Sequence, residues 1–227
     1  MRPGRGMRSG SCFPVNTMLL SAGVQSTTEG VMHHAGMFDV VFMVMFVCCF
    51  VIRAPLEVRN RKIRAVETRE GVFGKFCLLL VFTGSTTLPI LYLFTPWLDF
   101  ADYAVTPAVG GIGAAFAALG LFLFWKSHRD LGRQFSPTLE LKEAHHLVSQ
   151  GVYCRIRHPM YTALFLVAAA QLLLIGNAVV GPAFLLAFSI LYASRIEHEE
   201  DMMLDHFGQA YADYKARTNR LLPSFRQ

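Results

Sequence analysis

Charge is what this chain has least of. Only 16% of its 227 residues are charged and 53% are hydrophobic, whereas soluble domains usually carry about a quarter charged residues. The shortage is also uneven: no Asp, Glu, Lys or Arg occurs between Met160 and Ala193. With a mean hydropathy of +0.39, this excludes a chain that is soluble throughout and points to one membrane domain with short polar appendages. Cysteine is also sparse. Cys12, Cys48, Cys49, Cys77 and Cys154 are odd in number and form no CxxC, which excludes a disulfide framework and a cysteine-based zinc site. The net charge is +5, but no compact basic patch is interleaved with aromatics, so nucleic acid is not expected as a partner. The basic residues read instead as topology and contact with membrane lipids. A clean signal peptide is missing too. The first thirty residues hold Arg2, Arg5 and Arg8 and a weak apolar patch at Met18-Leu19-Leu20, so residues 1–30 read as a disordered arm.

What remains is a series of apolar runs. The first, Met37 to Ile52, is short for a crossing of about twenty residues and gains length if extended back through Val31. The second, Val72 to Trp97, contains Thr83-Gly84-Ser85-Thr86-Thr87 and Pro89, where a kink is expected. The third, Pro107 to Trp125, is rich in Gly and Ala, which lets membrane helices approach closely. The last, Met160 to Ala193, would be about 50 Å long as a single helix, against a hydrocarbon core of about 30 Å. Gly176-Asn177 and Gly181-Pro182 offer a turn near its middle. The expected fold is therefore an all-α integral membrane protein of about five transmembrane helices, the last two forming a hairpin. Residues 31–125 would hold three helices and a basic loop at 53–70. Residues 126–227 would hold a catalytic region with the hairpin and a cytosolic C-terminal amphipathic helix from Ser194 to about Thr218. Nearly all Lys and Arg lie in 53–70, 126–157 and 195–227, so those stretches are expected on the cytosolic side and the N-terminus outside.

Two polar clusters flank the last apolar run, Gly151-Val152-Tyr153-Cys154-Arg155-Ile156-Arg157-His158-Pro159-Met160-Tyr161 and Arg195-Ile196-Glu197-His198-Glu199-Glu200. If the run folds back, they meet at one membrane face. Pro159 pushes His158 out of helical geometry and suits the first position of a helix. A helix beginning there presents free N–H groups and partial positive charge to an anionic group, with Arg157 and His158 as added donors. Arg195 and Glu199 are four apart and share a helix face. Glu199 suits a cationic or amino-bearing ligand and Arg195 a carboxylate. Glu197 and Glu200 fall on other faces and read as solvated. A zinc-protease motif fails because Met202 stands where a second His is required. A dinucleotide loop fails at Phe116. His145, His146 and His158 lack a carboxylate or Cys at ligand spacing, so no metal is expected.

Leu131-Gly132-Arg133-Gln134-Phe135-Ser136, His146-Leu147-Val148, Gly151-Val152-Tyr153, Arg157-His158-Pro159-Met160-Tyr161, Arg195, Glu199-Glu200, Leu204, Phe207-Gly208, Tyr211, Tyr214 and Pro223 follow one another in an order that resembles the isoprenylcysteine carboxyl methyltransferase family of integral membrane enzymes. The likeness covers about residues 120–225; Thr138 departs from the family's Gln, and Ala163 from its usual Gly. The resemblance implies S-adenosylmethionine as methyl donor and a lipophilic, prenylcysteine-like carboxylate as acceptor. By position, it implies donor binding by His145, His146, Leu147, Val148, Tyr153, His158, Pro159, Met160, Tyr161 and Glu199. Arg195 would be catalytic and would meet the acceptor carboxylate together with Arg157. Other acceptors, such as a phospholipid amine, a thiol or a small carboxylic acid, remain open, as do a nicotinamide-dependent reductase and a non-catalytic lipid-binding protein. A carboxylate is already ionised at neutral pH, so methylating it needs no general base. A dry pocket favours a step in which opposite charges cancel, and holding the partners in line supplies up to about 7–11 kcal/mol.

Overall fold

The computed structural model describes residues 34, 36–60, 65–68, 71–132, 140–142 and 147–224. The expected disordered arm, His145 and His146 lie outside them. Helix α1, Met37–Asn60, opens where the Asp39 carboxylate accepts from the Gly36 N–H at 3.1 Å. From that start, which an acid in the first turn stabilises, the helix gains length forward, past Arg53 and Pro55; Val31 lies outside the described residues. Helix α2, Val72–Phe82, continues through a π turn at Thr83–Thr87 into α3, Leu88–Phe94. Pro89 explains the turn. The Leu88 N–H donates to the Thr83 carbonyl, so the next π-type bond, from residue 89 to Gly84, would need an N–H that proline lacks. Buried Gln171 replaces it, its Nε2 donating to the Gly84 carbonyl at 2.9 Å and to the Val180 carbonyl at 2.8 Å. A polar side chain deep among helices thus closes the kink expected there.

Helix α4, Pro107–Leu131, begins at Thr106, whose hydroxyl accepts from the Val109 N–H. Its buried face is Gly110, Gly113, Ala117 and Gly120. A Cβ on Gly120 would stand 3.0 Å from Val167, and one on Gly113 3.0 Å from Leu173. The small residues therefore set how closely α4 meets α5, Pro159–Leu174. Helix α6, Val180–Phe207, then runs antiparallel to α5: Gln171 meets Val180 at one end, and Tyr161 meets Glu199 at the other. The second half of the last apolar run and the acidic tail form one continuous helix. The break falls at Gly208, whose φ of +55° favours glycine, and α7, Gln209–Arg217, follows. The single tail helix expected from 194 to 218 is thus two pieces, because periodicity alone did not register that glycine.

Among the described residues, four helical stretches are long and apolar enough to cross a membrane: Met37–Pro55, Val72–Phe94, Pro107–Leu131 and Val180–Phe207; Pro159–Leu174 is a shorter apolar helix. The fold is the all-α, multi-span helical bundle expected, with one short two-stranded antiparallel ribbon beside it: β1, Ala65–Thr68, pairs with β2, Glu140–Lys142. It joins the two basic loops at one end of the bundle. At the other end the Tyr103 N–H donates to the Gly176 carbonyl and the Ala178 N–H to the Ala101 carbonyl. The basic loops and the turns without basic residues are therefore segregated.

Candidate active site

The first polar cluster folds as a short 3-10 turn, Gly151–Cys154, followed by an extended segment into Pro159. The α5 helix starts at Pro159, as its missing N–H dictates. The extended segment is held by chain from the C-terminal side. The Arg157 N–H donates to the Asn219 carbonyl at 2.8 Å, the His158 N–H to the Arg220 carbonyl at 3.0 Å and the Ser224 N–H to the Arg155 carbonyl at 2.9 Å. Thr162 Oγ1 adds a bond to the Leu221 carbonyl at 2.7 Å. Residues 218–224 thus form a strap that fixes the backbone beneath His158, a long-range pairing that no local pattern signals. One turn earlier, the Tyr214 hydroxyl donates to the Tyr153 carbonyl at 2.7 Å. Burial raises the pKa of both phenols above the usual tyrosine value, so each stays a neutral donor.

The antiparallel course of α5 and α6 brings the second cluster to the first. His158 Nδ1 lies 3.9 Å from Glu199 Oε1, and its Nε2 lies 3.5 Å from Glu200 Oε1. The Tyr161 hydroxyl donates to Glu199 Oε2 at 2.8 Å. Glu199 keeps part of its side chain open, while His158, Pro159 and Arg195 are buried. Met160, Leu147 and Val148 are half-buried.

Two readings of single residues change. Glu200, read as solvated, is 2% exposed. It accepts from Arg157 Nε at 3.1 Å, from Arg220 Nε and a terminal nitrogen at 3.1 and 3.0 Å, and it pairs with Lys215 Nζ at 3.0 Å. A helical wheel places Glu200 about 100° from Glu199, but not which neighbours arrive on that face. The cations come from the segment before Pro159, from α7 and from the strap, so only the tertiary fold reveals them. Conversely, Arg157, expected to meet an acceptor, is turned inward. Besides Glu200, its guanidinium donates to the Lys215 carbonyl at 2.9 Å and to the Thr218 carbonyl. The partners of this guanidinium make it a brace between the strap and α6. Bonding to Glu200 also raises the pKa of the Arg220 guanidinium, so that pair stays fully ionised.

The arrangement offers a partly open carboxylate with a tyrosine hydroxyl and an imidazole beside it, next to the amino end of α5. Such a set suits a ligand with a cationic group and an anionic group a few ångströms apart. That is the chemistry of an amino acid, including the methionine moiety of S-adenosylmethionine.

Residues 113–205 match the family model described as the isoprenylcysteine carboxyl methyltransferase (ICMT) family. A protein-S-isoprenylcysteine O-methyltransferase of Tribolium castaneum is 31% identical over 117 residues, 51% of this chain and 42% of that protein. One of Schizosaccharomyces pombe is 31% identical over 110 residues, 48% of this chain and 47% of that protein. The matched stretch thus spans less than half the length of either relative. A solved structure, the eukaryotic intramembrane Ras methyltransferase ICMT, aligns with 82% of this chain and 63% of its own at 23% identity and a TM-score of 0.48. The chain is thus similar to the isoprenylcysteine carboxyl methyltransferase family over residues 113–205, the stretch that contains His158, Tyr161, Arg195 and Glu199.

Proposed function

We propose that the protein is a membrane methyltransferase that uses S-adenosylmethionine to methylate the carboxylate of a lipophilic, prenylcysteine-like acceptor. The juxtaposition of Glu199, Tyr161 and His158 at the amino end of α5 carries this reading, because it lies inside the stretch that matches the family. When bound, the donor supplies a methyl group on a positively charged sulfur. Glu199, oriented by the Tyr161 hydroxyl, holds an ammonium. The N–H groups that follow Pro159 receive a carboxylate, and His158 lines the space between. Leu147, Val148, Tyr153 and Met160 complete the same wall. The resemblance also assigns donor binding to His145 and His146, which lie outside the described residues. Arg195, four residues before Glu199 on α6, orients the acceptor carboxylate without gripping it, since a tight ground-state clamp would slow transfer. Arg157, with its guanidinium braced, acts through the backbone it fixes.

In the bilayer, the shorter helix α5 joins the four long spans, making five with α5 and α6 as a hairpin. The basic end faces the cytosol, where a soluble donor arrives, and the acceptor's lipid tail enters sideways between helices.

Calorimetry with S-adenosylmethionine on the detergent-purified chain tests the donor half. His158→Ala and Glu199→Ala should each weaken binding about tenfold or more, and unchanged affinity in both rejects the site. Incubation with radiolabelled donor and a panel of prenylcysteines, lipids and thiols tests the acceptor half. Base-labile label on a prenylcysteine is expected; label that survives base would mean an amine or thioether product. Arg195→Ala should bind donor normally yet lose transfer, and full turnover would remove it from the mechanism.

A further inference from the structure

Aromatic rings follow the seam between α5 and α6 inward from Glu199. Tyr161 and Tyr192 lie 5.3 Å apart at 75°, Tyr192 and Phe165 5.4 Å apart at 76°, and Phe165 and Phe188 4.8 Å apart at 68°. Polarity falls along the seam. At the mouth stands the Glu199 carboxylate with the Tyr161 hydroxyl on it. Tyr192, half-buried, comes next, and Phe188 is buried in the core. Tyr192 precedes Glu199 by seven residues, two helical turns, so both project from one face of α6. Core packing accounts for Phe165 and Phe188. It does not account for two partly accessible tyrosines beside a carboxylate. The face of an aromatic ring is electronegative and attracts a cation within about 6 Å. Rings set near a right angle turn two faces toward one corner.

We propose that Tyr192, together with Tyr161, is the specificity-determining seat that tells a sulfonium donor from its neutral thioether product. The proposal rests on the methyl-donor reading above and adds to it a residue that the sequence motifs left out. Loss of the methyl group removes the positive charge from sulfur. The same corner that attracts the donor is then indifferent to the product, which favours replacement of product by fresh donor.

The test compares the affinities of the full chain for S-adenosylmethionine and for S-adenosylhomocysteine by calorimetry in detergent. Tyr192→Leu should reduce the donor-over-product preference roughly 2- to 30-fold, the range of a cation–ring contact from exposed to desolvated, chiefly by weakening donor binding. Tyr192→Phe, which keeps the ring, should retain the preference. Phenylalanines of increasing fluorination placed at position 192 keep the shape while draining the ring face, so they carry the test even where Leu unfolds the protein. The preference should fall stepwise with each fluorine. A preference that stays constant across the fluorinated series overturns the proposal, as does an equal loss in Phe and Leu, which would assign the effect to the hydroxyl. If the wild-type protein binds neither ligand, the donor reading fails as well. Binding of both with an unmoved ratio defeats the seat alone.

Discussion

The two ends of the helix bundle are both closed by a buried polar side chain, but in different ways. At the end without basic loops, Asn177 is fully buried. Its Oδ1 accepts from the N–H groups of Val179 and Val180 at the start of α6, and its Nδ2 donates to the Leu98 carbonyl and to Asp102. A neutral amide meets fixed backbone groups, and the junction is self-contained. Nearby, His34 stacks on Tyr92 and lies 3.2 Å from Asp99. At the basic end, Glu200 is a buried charge held by Arg157, Lys215 and Arg220, the last two with side chains 45% and 41% exposed. Three cations around one carboxylate leave positive charge facing outward, and Glu199 stands open beside them. One end is a clamp; the other is a clamp whose neighbours remain available to a ligand.

Substitutions at the two ends should therefore have separable effects. Glu200→Ala should have the largest effect, because it leaves the buried Arg157 charge without its carboxylate. A loss of about 3–5 kcal/mol is expected, read as a large fall in melting temperature in detergent, whereas Glu199→Ala should lower donor affinity and leave the melting temperature nearly unchanged. Asn177→Ala should cost about 1–3 kcal/mol for the groups left unpaired and leave donor affinity intact. If it weakens donor binding as much as a change at His158, the two ends are coupled and the contrast fails. Tyr214→Phe should be mildest, about 1 kcal/mol for the bond to the Tyr153 carbonyl. It sharpens the comparison, since its loss acts on the strap side and should raise the donor dissociation constant slightly more than its stability effect alone would suggest.

Much of this was legible in the sequence for definite reasons. Apolar runs long enough to span, a proline at the first position of α5 and a turn near Asn177 are local signals, and each appears in the structure where it was expected. The meeting of His158 with Glu199 followed from folding one apolar run back on itself. What escaped was non-local. Glu200 and Arg157 acquire their partners from residues 215–220, which dock on them only after α7 turns at Gly208. The ribbon joining 65–68 to 140–142 pairs segments more than seventy residues apart. Tyr192 belongs to an otherwise apolar stretch, and nothing in its spacing separates it from a core residue until Tyr161 is seen across the seam.

Glu200 and Arg220 are separated by twenty positions, and the strap beneath His158 is drawn from the same late stretch of chain. During synthesis the bilayer helices emerge first, while the segment that completes the pocket is still inside the ribosome. The helices that frame the polar end are therefore made before the cations that neutralise Glu200, and that carboxylate waits for its partners until the chain beyond Gly208 has followed.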